Sequence, residues 1–248
     1  MINTLKAYCA RLFTSKLFIA AAVLAFTVTL LFTANGAKKL GLKTTQTDLD
    51  YSLLASLGIP GFFSIFTSLF LGTEHRDGTI RNKLISGKSR AGIYLSSLAA
   101  MAAALGVMTA AWLAGAVAGA NTLPDTAAIV SCTVTIFGYN LANLALLVLI
   151  SMNCTNMQLM LVIEFLLFQT GICAALFLQA MMNAVGGVFS QVLKLLLNAL
   201  PFGQWLLLSP IGSHEQRVAA PIMVLISAAI ISAVTAFGIK LIKEKDIR

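Results

Sequence analysis

Charge is scarce in this sequence. Its 248 residues include 17 Lys and Arg and 9 Asp and Glu, about a tenth of the chain, while 58% are hydrophobic. A soluble domain is about a quarter charged and about half apolar, so there are too few charges here to cover a water-facing surface. Histidine is scarcer still: only His75 and His214 are present, and no cluster of metal ligands can be built from them. Cys9, Cys132, Cys154 and Cys173 show no C-x-x-C spacing, and two of them fall inside apolar runs. Neither a disulfide framework nor a metal site is supported. Long polar segments are missing as well. Six spans of about 20 residues use roughly half the chain, and the remainder is too short for a fused nucleotide-binding domain.

What the chain does have is apolar runs, with a mean hydropathy of +0.90. Their placement predicts an all-α polytopic membrane protein, a single transmembrane domain over 1–248 with six transmembrane helices. The spans are expected at 17–33, 51–72, 91–120, 126–151, 157–180 and 218–242. Ahead of the first, Ile2, Leu5, Cys9, Leu12 and Phe13 recur at three- and four-residue steps, with Lys6, Arg11 and Lys16 elsewhere on the wheel. That pattern predicts an amphipathic interfacial helix over 1–16. A cleaved signal peptide is the competing reading, but the run is long for an h-region and lacks a clear A-x-A site, which favours a retained anchor.

Pro60, between Gly58 and Gly61, is expected to bend the second span. Gly115 and Gly119 make a small-xxx-small pair suited to close helix contact, and 121–125, with Pro124, is read as a short turn. The segment 181–217 is neither a clean span nor a polar loop. Val192, Leu195, Leu196 and Ala199 share one helical face, and Pro201 and Pro210 interrupt the segment, so it is read as a re-entrant or interfacial hairpin on the extracytoplasmic side.

The +8 net charge follows the apolar runs and serves orientation and contact with anionic lipid headgroups rather than nucleic acid. With the N-terminus inside, five basic residues fall outside: Lys38, Lys39, Lys43, Lys194 and Arg217. The other twelve of the 17 fall inside, which predicts two cytoplasmic termini.

The loop at 73–90 is the most informative stretch. After Gly78, the order Thr79-Ile80-Arg81-Asn82-Lys83-Leu84-Ile85 reads as a short helix capped by Thr79 and stopped by Gly87. Ile80 and Leu84 share a face, with Arg81 and Lys83 pointing elsewhere. Such a helix suits a groove on a soluble motor, and it equally suits an inner loop that only sets topology. Gly87-Lys88-Ser89 imitates the end of a P-loop, but Asn82 stands where glycine is required.

The run from Glu74 to Arg90, E-H-R-D-G-T-I-R-N-K-L-I-S-G-K-S-R, resembles the cytoplasmic loop of ABC-2-type permeases, the membrane subunits of many bacterial ABC exporters. The plan of an interfacial helix, six spans and a broken hairpin before the last span is similar to that family too, as is the basic tail from Lys243 to Arg248. The resemblance implies a coupling helix that meets a separate ATPase, with Glu74, Gly78, Thr79, Ile80, Arg81 and Leu84 as the motor-facing residues. It also implies two ATPase copies, a second permease subunit (a homodimer in the first instance), and a place in the bacterial cytoplasmic membrane. The chain itself would hold no cofactor and have no enzymatic activity, ATP and Mg being bound by the partner. The expected cargo is amphipathic, a small peptide such as a toxin or bacteriocin; a lipid, lipid-linked glycan or drug is the alternative.

Glu164 is placed near the middle of the fifth span, where an ionisable group is costly. It lines the cargo path, binds a cation or carries a proton, or else it seals helix contacts through Gln169 or Asn143. Asn140 and Asn143, three apart on the fourth span, form a polar stripe that is either path or interhelical glue. A proton-driven secondary transporter using Glu164 would show repeated halves, and none are visible. An intramembrane enzyme would need a nucleophile with its base.

Overall fold

The computed structural model describes residues 2–39, 48–121, 125–212 and 217–244, and every element among them is helical. In chain order the helices are α1 (Ile2–Phe13), α2 (Lys16–Lys39), α3 (Asp48–Ser56), α4 (Gly58–Arg76), α5 (Thr79–Ile85), α6 (Arg90–Gly119), α7 (Thr126–Asn153), α8 (Met157–Ala184), α9 (Gly187–Ala199), α10 (Pro201–Leu208) and α11 (Ala220–Glu244). Lys43, the turn around Pro124, residues 213–216 of the hairpin and the tail beyond Glu244 lie outside the described residues.

Six helical stretches are long and apolar enough to cross a membrane: Lys16–Asn35, Leu49–Arg76, Arg90–Gly119, Thr126–Asn153, Met157–Ala184 and Ala220–Glu244. All six expected spans are there, most of them longer than the hydropathy runs alone indicate. Val23, Leu24 and Leu31 of α2, Val162, Phe165 and Phe177 of α8, and Leu225 and Phe237 of α11 are exposed. A water-soluble monomer does not expose apolar surface on this scale, whereas lipid accepts it. The chain is a multi-pass membrane protein.

The core lies among α4, α6 and α7, with Phe63, Phe70, Met101, Leu105, Trp112, Leu144 and Val148 buried there. In lipid, helices gain little from hydrophobic transfer and associate through close packing. The α2–α6 contact uses the expected glycine pair. A Cβ on Gly115 would lie 2.5 Å from the Phe26 carbonyl oxygen, and one on Gly119 would lie 2.7 Å from that of Leu30.

The second span is interrupted at Leu57, between α3 and α4. Pro60, in the first turn of α4, has no N–H and its ring excludes the carbonyl four residues back, which places the break one turn ahead of the proline. Carbonyls near such a break need other donors. Both tryptophans of the chain supply them: Trp112 Nε1 donates to the Ser52 carbonyl at 2.8 Å, and Trp205 Nε1 to that of Leu53 at 2.9 Å.

α9 and α10 meet at Leu200 with a bend of 100°, and all eight residues of α10 are buried. Gln204 Nε2 donates to the Asn198 carbonyl at 3.0 Å and Ser227 Oγ to Gln204 Oε1 at 3.0 Å, tying the pair to α11. The apolar face noted in the sequence does not pack on the bundle. Val192, Leu195, Leu196 and Ala199 are exposed, while Leu193 and Leu197 are buried. Both faces of α9 are apolar, so periodicity alone could not choose between lipid and protein.

Candidate functional site

The 73–90 segment is built in three pieces. α4 runs on through Arg76, a turn at Asp77 and Gly78 reverses the chain, and α5 follows. Gly78 has φ +66, the left-handed region that glycine enters without cost, and it caps α5. Thr79 is therefore not the cap expected from sequence; its hydroxyl donates back to the Glu74 carbonyl at 2.9 Å. At the other end Gly87, with φ +80, closes a Schellman motif: Gly87 N donates to the Leu84 carbonyl at 3.0 Å and Lys88 N to that of Lys83 at 3.1 Å. Ser89 then caps α6 by accepting from Gly92 N at 3.1 Å.

Beneath α5 lies a charged cluster. Glu74, in the last turn of α4, is only 4% exposed. Arg11 Nη1 of α1 donates to its Oε1 at 2.5 Å, Tyr8 Oη to its Oε2 at 3.2 Å, and Lys83 Nζ of α5 also reaches Oε2. The Lys83 ammonium sits 3.9 Å from the centre of the Tyr8 ring, and the Arg11 guanidinium 4.7 Å from that of Phe70, both inside cation–π range. Burial, together with the Glu74 charge, pushes the Tyr8 phenol far above its ordinary value, so it stays a donor. One carboxylate thus fastens three helices at one point. Its surroundings are polar enough to hold the charge because both cations keep part of their surface in solvent.

This arrangement redistributes the residues that the resemblance marks as motor-facing. Glu74 and Ile80 are buried, Ile80 at 2% exposure, and Leu84 packs against the core. They hold α5 in place and do not form its outer face. Lys83 points inward to Glu74 rather than away with Arg81. The outer face is Arg81, Asn82 and Ile85, with Ser86 and Lys88 following, and Ile85 is 75% exposed. Ile80 and Leu84 share a helical face as expected, but that face meets protein. The hydrophobic knob left over is Ile85, which its place at the helix end concealed.

Glu164 is fully buried, but not at midspan. It is the eighth residue of the 28-residue α8, about 10 Å from the start of that helix at 1.5 Å per residue. α8 starts at the end of the bundle that carries α5: Met157 packs against Gly72 of α4, and Phe168 against Gly61. The Ser151 hydroxyl of α7 donates to Glu164 Oε1, and Oε2 has no hydrogen-bond partner. Neither Gln169 nor Asn143 supplies the expected bond. His75 Nε2 lies 3.0 Å from the Ser151 carbonyl oxygen. Serine, histidine and carboxylate therefore converge here without forming a catalytic relay, because the histidine engages the serine's main chain and not its hydroxyl.

Asn140 and Asn143 are buried on α7. Asn140 Nδ2 donates within its own helix, to the Ile136 carbonyl at 3.0 Å, while its Oδ1 and Asn143 Nδ2 have no hydrogen-bond partner. Thr67 Oγ1 of α4 is unpartnered as well. Buried polar atoms of this kind are usually satisfied by water or ligand, and α4, α7 and α8 hold five of them, Gln179 Oε1 of α8 included. Sequence reasoning found the asparagines and Glu164 but not Thr67, Ser151 or His75, whose small side chain or loop position gave no signal.

Among the described residues no group of His, Cys, Asp and Glu is placed to hold a metal ion. The opposite end of the bundle carries a cleft between α3, α7 and the start of α11. No protein-family model matches the chain, and no curated protein matches it.

Proposed function

We propose that this chain is the membrane subunit of an ATP-driven exporter and that α5 is the helix through which a separate ATPase acts on it. The observation that supports this reading most is mechanical. A seven-residue helix is fastened by one buried carboxylate to α1 and α4 and continues through a capped turn into α6, while its outer face presents Arg81, Asn82 and Ile85. A topology-setting loop needs positive charge but no such mounting. A force on Ile85 and Arg81 reaches α4 through Lys83 and Glu74, and reaches α6 through the Gly87 turn.

In this reading two copies of the ATPase bind ATP and Mg and meet two copies of this chain, both of whose termini face the cytoplasm of a bacterial cell. Helices α9 and α10 form a re-entrant or interfacial hairpin on the far side. The cargo is amphipathic, with a small toxin-like or bacteriocin-like peptide first and a lipid, lipid-linked glycan or drug second. Glu164, Asn140, Asn143 and Thr67 are the polar atoms that a path through the bundle offers.

Co-expression with the cognate ATPase tests the assignment. Ile85→Asp with Arg81→Glu is expected to abolish ATPase co-purification while leaving the amount of this chain in the membrane unchanged. Ile80→Asp is expected to lower the amount of the chain itself. Full co-purification of an active ATPase with the Ile85/Arg81 double variant contradicts the docking face.

A second reading, a proton-driven transporter, has the unpartnered Oε2 of buried Glu164 in its favour. Export that continues without ATP and stops with an uncoupler would select it.

A further inference from the structure

Two cavities lie in line between α2 and α4. The first, about 320 Å³, sits at the elbow where α1 turns into α2 and is lined by Arg11 and Ser15 together with Leu17, Phe66, Leu69 and Thr73. The second, about 120 Å³, lies further along both helices, between Ala21, Leu24 and Ala25 of α2 and Gly58 and Phe62 of α4, with Trp112 of α6 behind. Phe18 stands between them, its ring 6.0 Å from that of Phe66 and 6.5 Å from that of Phe62. The two ends differ in chemistry. In the far cavity the polar side chains are already engaged: the Thr29 hydroxyl donates to the Ala25 carbonyl at 2.6 Å and the Trp112 N–H to that of Ser52. A Cβ on Gly58 would meet nothing within 4 Å, so the α4 wall is open there. The near cavity is cationic. Arg11 and Lys83 share the single carboxylate of Glu74, which leaves that cluster one positive charge in excess, and the Arg11 side chain is 42% exposed. Its bonds to Glu74, Thr73 and the Phe70 carbonyl use only part of a guanidinium's N–H donors. Lys16, next to Ser15, is exposed and adds a second cation.

We propose that this groove binds one phospholipid of net negative charge, its phosphodiester headgroup seated on Arg11 and Ser15 and one acyl chain laid past Phe18 into the far cavity. Three observations select this occupant. Lys16 opens the first span, which puts the cationic cavity at headgroup depth. From Thr73 to Phe62 is about 16 Å along α4 at 1.5 Å per residue. That is close to the hydrocarbon depth of one leaflet, half of a core about 30 Å thick. The excess positive charge answers a headgroup that carries a phosphate and no ammonium, and the guanidinium matches the geometry of phosphate oxygens. A soluble phosphate ester fits the near cavity alone and is separated from the lipid by the experiment. An occupied groove has a consequence for the joint beneath α5: Arg11 holds the phosphate on one side and Glu74 on the other, so the lipid presses α1 onto α4. The inference does not depend on the reading of α5.

The test uses the full chain purified in detergent and equilibrated with equimolar phosphatidylglycerol and phosphatidylcholine of matched acyl chains, followed by native mass spectrometry. The wild type is expected to retain one phosphatidylglycerol per chain with about fivefold preference over phosphatidylcholine, the worth of one basic residue at a membrane surface. Lys16→Gln is expected to remove most of that preference, and Gly58→Leu, which fills the far cavity, to lower retention of both lipids. Lys240→Gln takes an exposed cation from the same end of the bundle, outside the groove, and leaves the preference unchanged. Arg11 is kept intact in every variant because it also holds α1. A competition on the wild type alone keeps the test decisive if a variant fails to fold: soluble glycerophosphoglycerol is expected to displace the lipid poorly, since it cannot fill the far cavity. Full displacement by it overturns the lipid as occupant and assigns the near cavity to a free phosphate ester. Retention of the two lipids in equal amounts overturns the proposal, as do equal effects of Lys16→Gln and Lys240→Gln. A lipid-free dimer that Gly58→Leu dissociates assigns the groove to a second copy of the chain and likewise overturns it.

Discussion

Arg11 of α1 and Glu74 of α4 are 63 residues apart in the chain and meet at 2.5 Å. Everything the account says about α5 depends on that contact, because the same carboxylate also receives Lys83 from α5. The N-terminal helix, the second half of the second span and a seven-residue connecting helix are joined at one side chain.

Removing the carboxylate should release all three helices. Glu74→Gln leaves two cations facing an amide, and the lost charged hydrogen bonds are each worth about 1.5–3 kcal/mol when well buried. The Arg11 side chain is 42% exposed, so solvent screening reduces its share. A total near 2 kcal/mol is expected, lowering the melting midpoint by about 4–8 °C at this chain length. A thermal scan in detergent measures it, and Arg76→Gln, whose exposed pair with Asp77 contributes little, is the control.

Alkali should act on the same cluster through Tyr8. Its phenol has a folded-state pKa raised above the ordinary 10.0, so the folded state keeps a proton that the unfolded chain releases. The stabilisation is complete below about pH 10 and declines as pH rises beyond it. Tyr8→Phe should lower stability at pH 7 and flatten its fall between roughly pH 10 and 11, as read from melting midpoints across that range.

Two glycines of α6 should respond in opposite directions to alanine. Nothing lies within 4 Å of a Cβ built on Gly106, whereas on Gly115 it meets the Phe26 main chain at 2.5 Å. Gly106→Ala should stabilise by about 0.5–1 kcal/mol through helix propensity. Gly115→Ala should destabilise by roughly 1–3 kcal/mol by forcing α2 away. Equal effects of the two substitutions would remove the close α2–α6 contact from the account.

Glu164→Gln keeps an acceptor oxygen for the Ser151 hydroxyl and puts an amide NH2, a donor, in place of the unpartnered Oε2. Protein level is expected to change by less than about twofold while efflux of the cargo changes more. An unchanged efflux rate at equal protein level assigns Glu164 to packing alone.

The spans were legible because an apolar run of about 20 residues has few other uses in a chain so poor in charge. The glycine pair was legible because small residues at that spacing have one common purpose in lipid. The α9 face was not, since in a bilayer both sides of a helix can be apolar and the sequence pattern no longer distinguishes core from lipid. Within the loop, the helix and its stops were readable from Gly78, Thr79 and Gly87, although the cap fell to Gly78. The roles of Glu74, Ile80 and Ile85 were not readable, because they depend on α1 folding back across 63 residues. No local pattern links Arg11 and Tyr8 to Glu74. The depth of Glu164 was misjudged from the sequence itself: it is the eighth residue of the run expected at 157–180, as it is of α8, and lies ahead of the centre of both.

The most direct measurement is site-specific photocrosslinking from position 85 in intact cells, with the product identified by mass spectrometry. A photoreactive residue in place of Ile85 should give one adduct with a Walker-A ATPase, and the same residue at Phe177 on the lipid-facing side of α8 should give none. An Ile85 probe that captures only lipid or solvent while export proceeds would contradict the assignment of α5 as the helix on which the motor acts.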